Sequence, residues 1–291
     1  MRDFRLAANP RFLELATTWE RTRPAPAPVA LAATVMLVRE APGQTGGAGR
    51  PPVQVFLQRR VASMAFAPSM LVFPGGRVDE RDGRPDVPWA GRSPQRWAEV
   101  LATDVEPTRL LVTAAIRELF EECGVLLAGP DEHSVVTDVR TPLWHERRMA
   151  LTRHEISLAD VLAADDLVLR SDLLGYRAHW VTPVFEPRRY DTRFFAATVP
   201  EGQVPDDLTS EVDHADWADP AATLAALERG EVMMLPPTRV CLEDLATADS
   251  LDTLVRDAAE VPLVMPELTR TGDGVVLRTP LPAPETGGEP Q

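Results

Sequence analysis

The residues of this chain best suited to chemistry stand together in Arg117-Glu118-Leu119-Phe120-Glu121-Glu122-Cys123-Gly124-Val125. On a helix, positions three and four apart share a face, so Glu118, Glu121 and Glu122 form one carboxylate patch. Ile116, Leu119, Phe120 and Cys123 then turn away to a core. Three carboxylates on one face repel one another, and their place near a helix C-terminus opposes the macrodipole. A hard divalent cation with oxygen ligands offsets that cost, and Mg²⁺ typically takes few carboxylates together with substrate phosphates. Taken alone, the run also fits a solvated acidic face with Arg117 as the i,i+4 partner of Glu121, the commoner fate of a charge run. An unfavourable local choice tends to mark function, and the Gly124 stop with Phe73-Pro74-Gly75-Gly76 upstream favours the metal reading.

The elements that must position this patch follow from pattern and punctuation. A strong helix is expected from Pro107 to Cys123, with Gly124 as its positive-φ stop. Val29–Val38 and Val53–Arg60 are β-rich runs of strand length, and APGQTGGAGRPP between them reads as a hairpin loop. A third run, Met70–Phe73, leads into Pro74-Gly75-Gly76. Ser93-Pro94 supplies a cap and first-turn Pro for a second helix, with Trp97 and Leu101 four apart behind it. Downstream, the pattern predicts a helical stretch around Leu158–Leu174 and strands near Arg177–Val181 and Arg193–Val199. Helices are expected near Pro220–Gly230 and from Pro237 to Glu260, then a hairpin across Gly272-Asp273-Gly274. The first 23 residues predict one short helix bearing Phe12, Leu15 and Trp19 on a face, followed by the stiff linker TRPAPAP. Strands before, between and after helices place the chain in the α/β or α+β class with a mixed sheet.

Arg117-Glu118-Leu119-Phe120-Glu121-Glu122-Cys123-Gly124-Val125 resembles the second half of the Nudix box, and Phe73-Pro74-Gly75-Gly76-Arg77-Val78-Asp79 resembles its opening. In the usual box the closing Arg lies 14 residues after the opening Gly; here Gly76 to Arg117 is 41, an insertion of 27 residues. The Glu normally found eight residues before that Arg is replaced by Arg109, leaving Asp104 or Glu106 to take over its capping role. The interruption narrows the resemblance to the Nudix subgroup that includes the animal peroxisomal coenzyme A diphosphatase. Three further stretches agree: Gln58-Arg59-Arg60 with Phe66-Ala67-Pro68-Ser69, Thr113-Ala114-Ala115, and His179-Trp180-Val181-Thr182-Pro183 with Pro187 to Phe195. Together the likeness spans roughly residues 29–245.

The resemblance implies a Nudix α/β/α sandwich with a mixed, curved sheet and a helical insertion within the box. The expected organisation is an N-terminal helix and linker (1–28), a Nudix domain (29–265, inserted at 80–106) and a C-terminal hairpin and tail (266–291). The insertion and the Leu158–Leu174 stretch are expected to cap the pocket. The implied reaction is metal-dependent hydrolysis of a diphosphate linkage in a nucleoside-diphosphate derivative. Coenzyme A or acyl-CoA leads as substrate, giving 3′,5′-ADP and 4′-phosphopantetheine; ADP-ribose, NADH or another dinucleotide is the alternative. By resemblance Glu118 and Glu122 are the main ligands of Mg²⁺ or Mn²⁺, Glu121 is a ligand or base, and the Gly76 carbonyl completes the site. Arg117 orients the carboxylates. Glu211, six residues before Trp217, is the candidate for a further ligand or general base, with Asp213 and Asp216 behind it.

Arg59, Arg60, Arg188, Arg189 and Arg193 are candidates to clamp phosphates bidentately. Phe194 and Phe195 alternate across a strand, so only one can face a pocket; core packing is the commoner fate of each, and Phe195 is the candidate substrate contact. His179 reads as structural, and Cys123 as a small core hydrophobe rather than a nucleophile.

Composition bounds the rest. The chain has 291 residues, 44% of them hydrophobic, which is enough for a core and too much for a disordered chain. All 30 basic residues are Arg, against 44 acidic residues, for a net charge of −14. Residues 201–291 hold 19 acidic residues and five Arg, so the first 200 residues are balanced. Such a chain is repelled by phosphate backbones, which weighs against an RNA-processing role. A catalytically silent, nucleotide-sensing Nudix domain is the competing class, and retention of all three box carboxylates weighs against it. Two cysteines without metal spacing, no apolar signal core and no membrane-length run predict a cytoplasmic protein without a membrane partner. Family members often dimerise, so a homodimer is an admissible assembly.

Overall fold

The computed structural model describes residues 1–5, 10–43, 53–62, 67–209, 212–248, 250–272 and 274–282. In chain order the elements are β1 (Arg2–Arg5), α1 (Pro10–Thr22), β2 (Val29–Glu40), β3 (Val53–Arg60), β4 (Leu71–Val72), β5 (Gly75–Arg77) and β6 (Trp89–Ala90). Next come α2 (Pro94–Leu101), α3 (Val105–Cys123), β7 (Ala128–Gly129), α4 (Pro142–Thr152), α5 (Leu158–Ala164), β8 (Val168–Arg170), β9 (Gly175–Val181) and β10 (Arg189–Thr198). The chain continues through β11 (Val212–Ala218), α6 (Pro220–Glu228), α7 (Pro236–Thr247), α8 (Leu251–Leu254), β12 (Leu263–Val264), β13 (Glu267–Thr271) and β14 (Gly274–Thr279). Short 3-10 turns lie at Glu80–Gly83 and Ser171–Leu173.

Two compact units are present. The larger comprises Leu31–Ala178 and Thr192–Val261; the smaller comprises Met1–Ala30, His179–Asp191 and Pro262–Gln291. In the larger unit the strands run in the order β11-β3-β2-β10-β9, with β4 on β3 and β5 on β2. Strand β3 pairs antiparallel with β2 and with β11, and β5 pairs antiparallel with β2. A second, three-stranded sheet, β6-β8-β7, joins the insertion to later chain, with β6 and β8 parallel. In the smaller unit β1, β14 and β13 form an antiparallel sheet, and β12 pairs parallel with His179 and Trp180. The class is therefore mixed α/β with mixed sheets.

Helix α3 is the centre of the larger unit because its apolar residues face inward on every turn. Leu111, Val112, Ala115, Ile116, Leu119, Phe120 and Cys123 have no exposed surface. Phe120 meets Trp144 of α4 edge-on, with ring centroids 5.9 Å apart. The helix ends where expected, since Gly124 adopts φ +67 and its N–H bonds back to Phe120 O at 3.0 Å. Helix α2 starts as read, with Ser93 Oγ accepting from Arg96 N and Pro94 in the first turn. Trp97 and Leu101 of this helix are fully buried, and Trp97 packs edge-on against Phe195 of β10 at 5.8 Å. The inserted segment thus contributes Trp97 and Leu101 to the core of the larger unit.

Several elements differ from expectation. The Leu158–Leu174 stretch is helical only to Ala164: a capping box of Ser157 and Asp160 starts α5, Asp165 leaves the helical region at its end, and the following residues extend into β8 beside β6. The first residues form a strand before α1, paired with β14. The long C-terminal helix is two helices separated at Ala248, whose backbone is extended. Helix α4 and strand β11 were not anticipated. The expected hairpin is present as the antiparallel pair β13 and β14, while Asp273 lies outside the described residues. No helix among the described residues is long and apolar enough to cross a membrane.

Candidate active site

The acidic site assembles where the last turns of α3 meet the turn out of β4, at the glycines Gly75 and Gly76 that begin β5. Gly75 lies against strand β2, where a Cβ would stand 2.4 Å from Ala33 O and 2.6 Å from Thr34 Cα. No side chain is admissible there. A Cβ on Gly76 would stand 2.7 Å from both carboxylate oxygens of Glu118, so the missing side chain is the space that this carboxylate occupies. The Gly75 N–H donates to Glu122 Oε2 at 2.9 Å, fixing a second glutamate to the same turn. The two glycines therefore serve different ends: one lets the strands close, the other admits a glutamate.

Glu118 and Glu121 are buried, and Glu122 is half-buried. The solvated-face reading is excluded by that placement. Burial pushes the carboxyls of Glu118 and Glu121 above their ordinary range, and the Arg117 guanidinium opposes the shift. Arg117 is itself only 4% exposed, and every N–H of its guanidinium has a use. Nη1 donates to Glu118 Oε1 at 2.7 Å and to Glu121 Oε1 at 3.1 Å. Nε and Nη2 grip Asp82 bidentately at 2.9 and 3.0 Å, and Nη2 also donates to Arg77 O at 2.9 Å. Three buried carboxylates thus surround one cation, and Glu122 adds a fourth acidic group to the same helix end. Such an excess of charge is costly away from water unless a further cation joins it.

Two residues that sequence reasoning missed complete the arrangement. Asp82 sits in the 3-10 turn at the start of the insertion and is fully paired. Its only sequence signal is the Asp79-x-x-Asp82 spacing of a capping box, which says nothing of a partner 35 residues away. Asp104 caps α3 by position but makes no side-chain bond, and Arg109 lies over the Trp89 ring at 5.9 Å. The second is Arg148 of α4. Its Nε donates to Glu121 O at 2.9 Å and its Nη1 to Asp206 at 2.7 and 2.9 Å. A cation on the last carbonyls of a helix offsets the macrodipole that the glutamates oppose.

The remaining candidates are dispersed. On β3, Gln58 reaches toward Glu122 O at 3.5 Å; by strand alternation Arg60 shares its face and the exposed Arg59 takes the opposite one. Arg193 is buried. Arg188 and Arg189 belong to the smaller unit. Arg188 is exposed, whereas Arg189 is buried with its guanidinium engaged by Thr182 O, Ala27 O and Met265 Sδ. Phe195 has no exposed surface and packs between Trp97 and Tyr176; the expectation that it contacts substrate is corrected to core packing. His179 bonds Asp191 at 2.7 Å in the smaller unit, in keeping with a structural role. Cys123 is buried, and its thiol, pushed well up by burial, donates to Leu119 O. Trp217 lies beneath Arg39 at 4.1 Å and edge-on to Phe56. Asp213 and Asp216 are exposed on β11, and Glu211 lies outside the described residues. Among the described residues no three His, Cys, Asp or Glu side chains converge into a metal-binding group by themselves.

A glycine turn holding two glutamates of a helix ordered by a buried arginine defines a class. A family model described as the NUDT19 Nudix domain matches residues 98–244, and this chain belongs to that Nudix hydrolase family. An acyl-coenzyme A diphosphatase NUDT19 from Xenopus laevis is 24% identical over 78% of this chain and 70% of its own length. A putative nudix hydrolase 7 from Caenorhabditis elegans is 26% identical over 63% of this chain, which spans about half (52%) of that relative. The crystal structure of a NUDIX hydrolase from Alicyclobacillus acidocaldarius superposes with a TM-score of 0.63 at 26% identity, covering 78% of this chain and 95% of that one.

Proposed function

We propose that this protein is a divalent-metal-dependent pyrophosphohydrolase that cleaves the diphosphate linkage of coenzyme A or an acyl-CoA. The products are 3′,5′-ADP and 4′-phosphopantetheine or its acyl ester. The observation that carries the reading is the pairing of Glu118 with Gly76 and of Glu122 with Gly75 at one helix end. The residues present fit a hard cation: oxygen donors only, carboxylates in excess of the single guanidinium, and a glycine that leaves room for one of them. Glu118 and Glu122 would hold the ion with the Gly76 carbonyl, and Glu121 would bind it or accept the proton of the attacking water. When bound, Mg²⁺ or Mn²⁺ supplies charge neutralisation on the diphosphate and a more acidic water. Arg117 holds the glutamates in place, which is the positioning that phosphoryl transfer asks of a protein. Arg60, on the Gln58 face of β3, remains the candidate for gripping substrate phosphates, and Glu211 for an additional base. The choice of coenzyme A draws support from the name of the Xenopus laevis relative and from the NUDT19 description of the matching family model.

The test is incubation of the full chain with Mg²⁺ or Mn²⁺ and coenzyme A, acetyl-CoA, ADP-ribose, NADH and diadenosine polyphosphates, with products read by mass. Cleavage of the coenzyme A species, lost in Glu122→Gln, is expected. Turnover of another compound in their place would overturn the substrate and keep the metal site. Tight nucleotide binding without turnover would instead identify a sensor.

A further inference from the structure

The insertion reaches the acidic site through Asp82. A guanidinium surrounded by carboxylates prefers a bidentate fork, and in this site the neighbouring Glu118 is a natural partner for one. Arg117 does not make that fork with Glu118. Its Nε and Nη2 edge is taken by Asp82, and only Nη1 is left to touch Glu118 Oε1 and Glu121 Oε1. Each glutamate therefore gives one oxygen to Arg117 rather than both.

Asp82 is held independently of Arg117. Its Oδ2 accepts from Asp79 N at 2.8 Å, and its own N–H bonds Asp79 O at 3.0 Å. Asp79 in turn accepts from Arg81 through N, Nε and Nη2. Arg81 Nη1 donates to His154 O and Ile156 O in the segment between α4 and α5. The chain of contacts Arg81–Asp79–Asp82 anchors the fork from outside the glutamates.

We infer that Asp82, an aspartate of the inserted segment, is a positioning residue that ties down Arg117 and so keeps the Glu118 and Glu121 carboxylates available to a divalent cation. The inference rests on the metal-site reading proposed above. Removing Asp82 leaves Arg117 with buried, unpaired N–H groups, and the fork that satisfies them next is Glu118. Arg117 would then compete with the metal for its own ligand.

The experiment measures Mn²⁺ binding to the full chain by the loss of the free-ion paramagnetic resonance signal, in wild type, Glu122→Gln, Asp82→Asn and Arg81→Gln, with circular dichroism on each. Asp82→Asn is expected to fold and to weaken Mn²⁺ binding by about 10- to 100-fold, the range typical of residues that orient metal ligands. Arg81→Gln, at a partly exposed position away from the glutamates, should weaken it by a smaller factor. Coenzyme A turnover by Asp82→Asn should need more metal for half-maximal rate while approaching the wild-type rate at saturation. A folded Asp82→Asn with wild-type Mn²⁺ affinity overturns the inference, and loss of binding in Glu122→Gln would still uphold the metal site. If Asp82→Asn does not fold, Arg81→Gln decides: weaker binding supports the inference and unchanged binding overturns it. Wild-type protein that binds no Mn²⁺, or binds it equally well without Glu122, removes the metal site and the inference together.

Discussion

At the scale of single residues, the site depends on absences as much as on charges. Gly76→Ala places a methyl group 2.7 Å from both Glu118 oxygens, so the carboxylate must leave its seat. Because a carboxylate is the far end of a side chain, the backbone has no need to move. We expect little change in melting temperature and at least about tenfold weaker metal binding, as for other displaced ligands, read by Mn²⁺ titration beside thermal denaturation. The cysteines make the opposite case. Cys123 and Cys241 are buried at 0% and 3% exposure, and burial pushes both thiols upward. Neither should react with a thiol reagent at neutral pH until denaturant unfolds the chain; rapid labelling of the native protein would contradict this. The glutamates, Arg117 and the paired glycines were legible because their spacing within a few residues encodes a helix face and a turn. Asp82 was not, because its partner lies 35 positions away and no local pattern joins them.

At the scale of elements, α3 is a helix whose last turn opposes its own dipole and is rescued by α4. Arg148→Met removes a buried cation from the Glu121 carbonyl and strands its bonds to Asp206. Charge-assisted bonds of this kind are worth about 1.5–3 kcal/mol, and urea denaturation should show a loss of that order. Trp97 tests the insertion. As a fully buried side chain against Phe195, its replacement by Ala should cost about 3–5 kcal/mol, also read from the denaturation midpoint. A loss below about 1 kcal/mol would mean that α2 is a loose lid and not core. Helices α2 and α3 were readable from their ends, Ser93-Pro94 and Gly124, where the chemistry is local. Helix α4 was missed although Thr141-Pro142 offers the same start signal, because its mixed charged and apolar residues show no clean stripe. The stretch after Ala164 was misread because Leu167 and Leu169 owe their burial to core packing and β6 pairing, which periodicity does not report.

At the scale of the whole molecule, the balance of charge determines what the protein avoids. A net charge of −14 with no Lys should leave duplex DNA and RNA unretained in a mobility-shift assay at about 150 mM salt, where any remaining attraction is screened beyond about 8 Å. Retention that weakens steeply with salt would reveal an Arg-lined groove and reopen the nucleic-acid reading. By itself the sequence determined the mixed α/β class, the Nudix likeness and the three clustered glutamates, since helix periodicity and turn chemistry act over a few residues. Only the tertiary structure decided that the carboxylates are buried, that Arg148 closes their helix, that Phe195 belongs to the core and that an aspartate of the insertion grips Arg117. Those outcomes depend on which distant segments meet, and burial and pairing exist only once they have met.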